Sequence, residues 1–255
     1  MPRPDSRAPA AKISTTGPSK LVFGGALAVA LLAAIVIAVL LNRPASHEPY
    51  AGPVPTGGTK GANGLNPYSS LTVRTGVPTV DVYEDFQCPF CKQLETQNGE
   101  AMLAQAEAGK IRLVWHPVTF LEDNLKNAPS STIAANGLYC AADAGKAATY
   151  HRAAFAGQPK KEGDGFSVAD IKKFGKQAGI KGAALTTFDR CVDKGTYDGY
   201  VSATADRASR DDVNSTPSVF IDGEELSPTK NSKEYGKLLN EPNSFDSVIV
   251  AVTEK

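Results

Sequence analysis

Residues 83–92 read Tyr-Glu-Asp-Phe-Gln-Cys-Pro-Phe-Cys-Lys, and the fold prediction starts from them. Before the cysteines, residues 77–86 place β-branched and aromatic side chains in rough alternation, which predicts a strand. After the first cysteine, residues 89–109 contain good helix formers and end at a glycine, and residues 111–118 again have a strand-like pattern. This order predicts a right-handed strand–helix–strand unit with both cysteines at the junction of strand and helix.

The Cys88-Pro89-Phe90-Cys91 spacing suits thiol–disulfide exchange. At the start of a helix, unsatisfied N–H groups and the helix dipole stabilise a thiolate, so we expect Cys88 to be the reactive thiol. Pro89 fits the first helical position because no hydrogen bond is needed from its nitrogen. Cys91, nearly one turn further on, is expected to be the shielded partner.

Two other interpretations of the cysteine pair remain open, a zinc site and an inert structural disulfide. Zinc needs about four ligands, often a second closely spaced pair. The other cysteines, Cys140 and Cys191, are 51 residues apart, and His47, His116 and His151 form no ligand pair. Redox chemistry is therefore the favoured interpretation, with neither a metal nor another cofactor expected.

Composition bounds the class of protein. The chain has 255 residues, room for one large or two modest folded units. A hydrophobic content of 42% with 21% charged residues is typical of a folded protein. The 27 basic and 27 acidic residues cancel, which argues against a broad nucleic-acid-binding face.

Residues 21–41 form an uncharged, apolar run long enough to cross a bilayer as a helix. We predict an uncleaved transmembrane signal anchor, with a cleaved signal peptide or a buried soluble helix as alternatives. Four basic residues precede the run and only Arg43 follows it closely. The positive-inside rule then places residues 1–20 in the cytoplasm and the remainder outside the cell membrane.

The exported part is predicted to contain a tether, a mixed α/β domain and a helical insertion. Residues 42–70 are rich in glycine and proline and are predicted to be the tether. Residues 71–128 and 208–255 carry the strand signals, a hairpin at 218–226 and a terminal amphipathic helix, whereas 129–207 have only helical patterns.

Cys140 and Cys191 both fall in helical segments of the predicted insertion. Because an oxidising compartment favours pairing, we predict a structural disulfide between them. Two buried free thiols are the alternative, since cysteine also packs as a small hydrophobic side chain.

Several segments resemble DsbA-like thiol–disulfide oxidoreductases of the membrane-anchored actinobacterial type, a branch of the thioredoxin-fold superfamily. They are residues 83–92, Tyr-Cys-Ala-Ala-Asp at 139–143, Phe-Asp-Arg-Cys at 188–191 and Ser-Thr-Pro-Ser-Val-Phe at 215–220. The resemblance implies an α/β (α+β) thioredoxin fold with an inserted helical domain over the active site. It also implies that the chain oxidises exported proteins.

The resemblance further implies roles for residues near the cysteines. Thr216-Pro217 matches the family's cis-proline loop, which faces the redox pair and presents backbone to a substrate peptide. Phe90 stands where a better-known oxidase has histidine, so we expect the helix terminus to activate the thiol and the protein to be a milder oxidant. Glu84 and Asp85 are candidates to relay a proton to Cys91, although both could instead cap the strand end in solvent.

The predicted activity is introduction of disulfides into unfolded exported proteins that carry free cysteines. The resemblance implies reoxidation by a quinone-linked membrane protein of the DsbB or VKOR type. A disulfide reductase or isomerase is one alternative. An anchored peptide-binding module that has lost turnover is another.

Overall fold

A single sheet of four strands forms the centre of the part that the computed structural model describes, residues 50–122, 129–161 and 163–254. The strands are β1 Thr79–Glu84, β2 Arg112–Pro117, β3 Ser218–Ile221 and β4 Glu224–Leu226, in the order β2-β1-β3-β4. β1 is parallel to β2 and antiparallel to β3, and β4 closes an antiparallel hairpin with β3.

Strand β1 occupies a central position because its side chains face apolar neighbours. Val80 and Val82 are fully buried, and Val82 lies opposite Trp115 on one side and Val219 on the other. The predicted strand–helix–strand unit is confirmed. Its helix leaves from the carboxyl end of β1, so residues 85–91 lie at that edge of the sheet.

The helix after β1 differs from the regular helix predicted over residues 89–109. It consists of α1 Pro89–Leu94, a π-helical segment Glu95–Gly99 and α2 Glu100–Glu107. A Cβ atom on Gly99 would collide with the Glu95 carboxylate, so the glycine leaves room for that side chain. Widened turns of this type are frequent at functional sites.

The part predicted to have only helical patterns, residues 129–207, contains five helices. These are α3 Ser130–Asp143, α4 Ala147–Ala156, α5 Val168–Gln177, α6 Gly182–Asp193 and α7 Asp198–Arg210. A capping box between Ser167 and Asp170 starts α5. A disulfide joins Cys140 on α3 to Cys191 on α6, the pair expected from the sequence, with 5.9 Å between their Cα atoms.

The carboxyl-terminal part returns to the sheet. The β3–β4 turn at Asp222 and Gly223 has positive φ angles at both positions, as two-residue hairpins favour. Helix α8 Ser232–Asn240 was not predicted, whereas α9 Phe245–Thr253 was. The buried side chains of Leu238 and Phe245 join both helices to the core.

The prediction of a tether over residues 42–70 is wrong for the described residues 50–70. Ala62 and Leu65 are fully buried, and the backbone of Leu65 exchanges two hydrogen bonds with Trp115 on β2. These apolar side chains are too sparse in a glycine-rich segment to give a periodic pattern, although each has a place in the core.

The described residues from 50 to 254 belong to one compact unit, so the division into a sheet domain and a helical insertion stays a prediction. Among the residues that the structure describes, no helix combines the length and hydropathy of a membrane span. The predicted anchor at 21–41 lies outside the described residues.

The Cys140–Cys191 bond gives a stability prediction. Closing a loop of this length stabilises the folded state by about 4 kcal/mol in the chain-entropy model. Replacing both cysteines with serine should therefore lower the melting temperature by about 10 °C and leave thiol exchange at Cys88 intact. Calorimetry with and without reductant supplies the control, because reduced wild-type protein should melt close to the variant. An unchanged melting temperature would contradict this role.

Candidate active site

Cys88 occupies the N-cap position of helix α1, with extended backbone angles, and Pro89 is the first helical residue. The backbone N–H of Cys88 donates to the carbonyl of Asp85 at 2.9 Å, which fixes the turn from strand to helix. Cys91 is completely buried and Cys88 is 6% exposed, whereas Phe90 between them is 58% exposed. The pair is therefore reached from the Cys88 side.

The loop before β3 lies against the redox pair. The Thr216–Pro217 peptide bond is cis, as expected, and the Cys88 thiol donates to the Thr216 carbonyl at 3.4 Å. The Tyr235 hydroxyl donates to the Pro217 carbonyl at 3.2 Å and holds the loop from helix α8. Thr216 and Pro217, distant in sequence, are thus brought to the cysteines.

The pKa values of the two thiols are shifted in opposite directions. A hydrogen bond from the Cys91 thiol lowers the pKa of Cys88 to about 6, assisted by the Thr216 side chain and by backbone groups of Cys91 and Phe90, against the effect of burial. Burial raises the pKa of Cys91 well above its ordinary value, and its interactions with Cys88 and Glu84 add to the rise. Cys88 is therefore a thiolate at neutral pH and Cys91 a thiol.

Glu84 and Asp85 are both buried, so the interpretation that they cap the strand end in solvent is wrong. The Asp85 carboxylate accepts hydrogen bonds from the backbone of Gln87 and Leu121 and from the Ser131 hydroxyl at 2.7 Å. Burial raises the pKa of Asp85 to about 6 despite these bonds. Asp85 joins the active-site turn to helix α3, which is a structural role.

Glu84 has a different environment. Its Oε1 is hydrogen-bonded to Nε2 of the equally buried His151, and its Oε2 has no hydrogen-bond partner among the described residues. Burial, with a smaller contribution from Asp85, raises the pKa of Glu84 well above its ordinary value. The raised pKa of Glu84 and its electrostatic interaction with Cys91 make this carboxyl group the candidate to exchange a proton with the buried thiol.

Sequence reasoning missed four residues that shape the site. The Gln158 amide donates to the carbonyls of Phe86 and Cys88, and Tyr235 holds the proline loop. Glu95 and His151 form a buried cluster with Glu84. One signal was available: Glu95 follows Cys91 by four residues and so shares its helix face. No sequence signal pointed to His151, since its helix has the pattern of an ordinary apolar helix.

The Glu84–Glu95–His151 cluster also has the residue types of a metal site. One potential ligand atom from each residue lies within 4.8 Å of the others. Glu84 and Glu95 face different ring nitrogens of His151, however, Glu84 at Nε2 and Glu95 at Nδ1. A single ion could use only one of these nitrogens, so the arrangement suits hydrogen bonding better than coordination.

A central sheet, a thiol pair at a helix start and a facing cis-proline loop together define a thioredoxin-type dithiol protein. In agreement, a family model described as thioredoxin matches residues 76–241. The chain belongs to this family. No curated protein matches the chain.

Solved structures specify the branch. DsbA of Mycobacterium tuberculosis in its oxidised form is 25% identical, with a TM-score of 0.54 over 72% of this chain and 96% of that one. MdbA of Actinomyces oris, a thiol–disulfide oxidoreductase, is 22% identical, with a TM-score of 0.60 over 78% of this chain and 99% of that one. MdbA of Corynebacterium diphtheriae is also 22% identical, with a TM-score of 0.56 over 73% and 94%. The resemblance to DsbA-like proteins and the class of protein disulfide oxidoreductase are confirmed.

The cause of the Cys88 acidity can be tested by substitution at its partner. Cys91→Ala removes the hydrogen bond that lowers the pKa most, so the pKa of Cys88 should rise from about 6 to about 7 or above. Cys91→Ser is the matched control, because its hydroxyl can still donate and should retain much of the effect. Thiolate absorbance against pH measures both. If Cys88 had the same pKa in the Cys91→Ala variant as in the wild-type protein, this cause would be contradicted.

Proposed function

We propose that the protein introduces disulfides into unfolded exported proteins through Cys88 and Cys91. The observation that carries the proposal is the unequal pair: a stabilised thiolate at Cys88 beside the cis-proline loop, and a buried thiol at Cys91. A stabilised thiolate is a good leaving group, and its stabilisation favours the reduced protein over its disulfide. Both effects favour transfer of the disulfide to the substrate.

The reaction proceeds by two exchanges. A substrate thiolate attacks Cys88, the Cys88–Cys91 bond breaks, and Cys91 leaves and takes a proton from Glu84. A second substrate thiolate then attacks the substrate sulfur of the mixed disulfide, and Cys88 leaves as a thiolate. The substrate loses two electrons and the redox pair gains them. Attack occurs at Cys88 because Cys91 is completely buried.

Substrate binding uses the exposed surface around Cys88. Phe90 offers an apolar contact, and the backbone at Thr216 can pair with an extended peptide as an added strand would. Both contacts favour unfolded chains, which expose apolar side chains and free backbone. The surface therefore supports a wide range of substrates.

Location and reoxidation complete the proposal. Residues 21–41 anchor the chain in the cell membrane, with residues 1–20 in the cytoplasm and the folded part outside. A quinone-linked membrane protein of the DsbB or VKOR type accepts the two electrons from the reduced pair. Support for this compartment comes from the Cys140–Cys191 disulfide, because such bonds persist mainly in oxidising compartments.

Trapping of substrates tests the exchange mechanism. In Cys91→Ser the mixed disulfide between Cys88 and a substrate cannot be resolved by the buried partner, so adducts with exported proteins should accumulate on non-reducing gels. Cys88→Ser is the matched control and should form none, since Cys91 is inaccessible. The wild-type disulfide form should also oxidise a reduced two-cysteine peptide. Absence of adducts and of peptide oxidation would favour a binding module.

Membrane topology tests the location. The full chain should sediment with membranes and resist carbonate extraction, and protease added to spheroplasts should degrade the folded part. A variant lacking residues 1–41, directed outward by a cleavable signal, should be released as a soluble, active protein. Recovery of the native protein in soluble form, beginning beyond residue 41, would contradict the anchor.

A further inference from the structure

The carboxylic acid beside the redox pair is part of a longer buried chain. Glu84 on β1 is hydrogen-bonded to Nε2 of His151 on α4. On the opposite side of the imidazole ring, Nδ1 lies 3.5 Å from Oε2 of Glu95. Glu84 and His151 are fully buried, and the Glu95 side chain is 7% exposed. Each of the three residues has a buried polar atom without a hydrogen bond among the described residues.

Aromatic rings fix the orientation of the imidazole between the two carboxyl groups. Trp115 stacks on His151 with 3.8 Å between ring centroids and 4° between planes. The edges of Phe86 and Phe155 approach it, with centroids at 5.7 and 4.9 Å. This enclosure hinders rotation of the ring. It also disfavours the imidazolium, and burial lowers the pKa of His151 to about 4.

The outer end of the chain borders a cleft. Glu95 and Gly99 line a cleft of about 190 Å³ together with Glu100 and Arg152. Glu100 and Arg152 form an ion pair whose side chains are 74% and 47% exposed, so this end reaches solvent. Burial raises the pKa of Glu95 to about 7, which suits a group that exchanges protons at neutral pH.

We propose that Glu84, His151 and Glu95 form a proton wire that connects the buried Cys91 sulfur with solvent in the Glu95 cleft. This inference rests on the proposed function and deepens it, because it assigns the route by which Cys91 gains and loses its proton. His151 and Glu95 do not touch the substrate. They act through Glu84.

The proton balance of one cycle follows from the two ring nitrogens. When Cys91 leaves as a thiolate, Glu84 gives it the proton of Oε2 and takes one on Oε1 from Nε2 of His151. Nδ1 takes a proton from Glu95, which recovers one from the cleft. His151 stays neutral and changes tautomer.

Reoxidation runs the same transfers in reverse. Cys91 gives its proton to Oε2 of Glu84, Oε1 gives its proton to Nε2, and Nδ1 returns a proton to Glu95, which releases one to the cleft. Each cycle therefore admits one proton, releases one and restores the tautomer without turning the ring. A wire of this kind needs no movement of the enclosed imidazole.

Other charged and titratable groups around the wire are few among the described residues. Those with an electrostatic interaction with its members are Asp85, Cys91, Glu100 and Tyr139, and Arg152 pairs with Glu100 beside the cleft. The tyrosine is fully buried with its pKa raised, Asp85 is held by its own hydrogen bonds, and Glu100 and Arg152 lie at the exposed end. Among the described residues, Glu84, His151 and Glu95 lead from the Cys91 side to the cleft, through one hydrogen bond at Nε2 and one approach of 3.5 Å between Nδ1 and the Glu95 Oε2.

The resolving step provides the test, with Cys88 joined to glutathione and attacked by Cys91. Glu95→Gln keeps the shape of the side chain but cannot pass a proton to His151. We expect the rate at pH 7 to fall about tenfold or more, and the deficit to disappear at high pH, where hydroxide can remove the proton. His151→Gln, which retains a donor toward Glu84 only, should show the same pH profile.

The matched control is Glu100→Gln, which changes the charge of the same cleft outside the wire and should react as wild type does. In all variants the pKa of Cys88 should remain about 6, and the disulfide forms should still oxidise a peptide at high pH. If the disulfide form of the wild-type protein failed to oxidise the peptide, the proposed function itself would be rejected. Wild-type rates in Glu95→Gln or His151→Gln, at every pH, would overturn the wire alone.

A measurement on the wild-type protein needs no variant. Nitrogen NMR of His151 should show the proton on Nε2 in the oxidised protein and on Nδ1 in the reduced one. The same tautomer in both redox states would overturn the proposal, because the wire requires the change.

Discussion

The hydrogen bond from the Cys91 thiol to the Cys88 sulfur is the interaction on which the site depends. It makes the largest contribution to lowering the pKa of Cys88 to about 6. The bond needs a protonated Cys91, and burial keeps that thiol protonated by raising its pKa. One thiol is therefore reactive because the other is buried, and both conditions follow from the start of a helix packed against the sheet.

The rest of the fold maintains this difference between the reactive Cys88 and the buried Cys91. Strand β3 and helix α8 place the cis-proline loop beside Cys88, where the Thr216 carbonyl contacts its sulfur. From the helical part, Gln158 fixes the carbonyl of Cys88, and Ser131 binds Asp85 in the turn before it. The helical part thus holds the active-site turn in place through these two hydrogen bonds.

Much of this arrangement could be predicted from the sequence where a local rule applied. The strand–helix–strand unit, the Asp222-Gly223 hairpin and the Ser167 capping box each follow from short-range patterns, and the structure contains them. Other features depend on contacts between distant segments. Leu65 is buried because Trp115 offers it a backbone partner, and no periodicity in its own segment indicates this. The cluster at His151 likewise requires the contact between α4 and β1 that brings His151 to Glu84.

The reduction potential of the Cys88–Cys91 couple, measured by equilibration with glutathione, tests the central claim most directly. A pair in which the Cys88 thiolate is stabilised should be oxidising, with Phe90 giving a milder oxidant than the strongest family member at about −120 mV. We therefore expect a value between about −120 and −200 mV. A value at or below about −270 mV, that of thioredoxin, would contradict the account and identify the protein as a reductase.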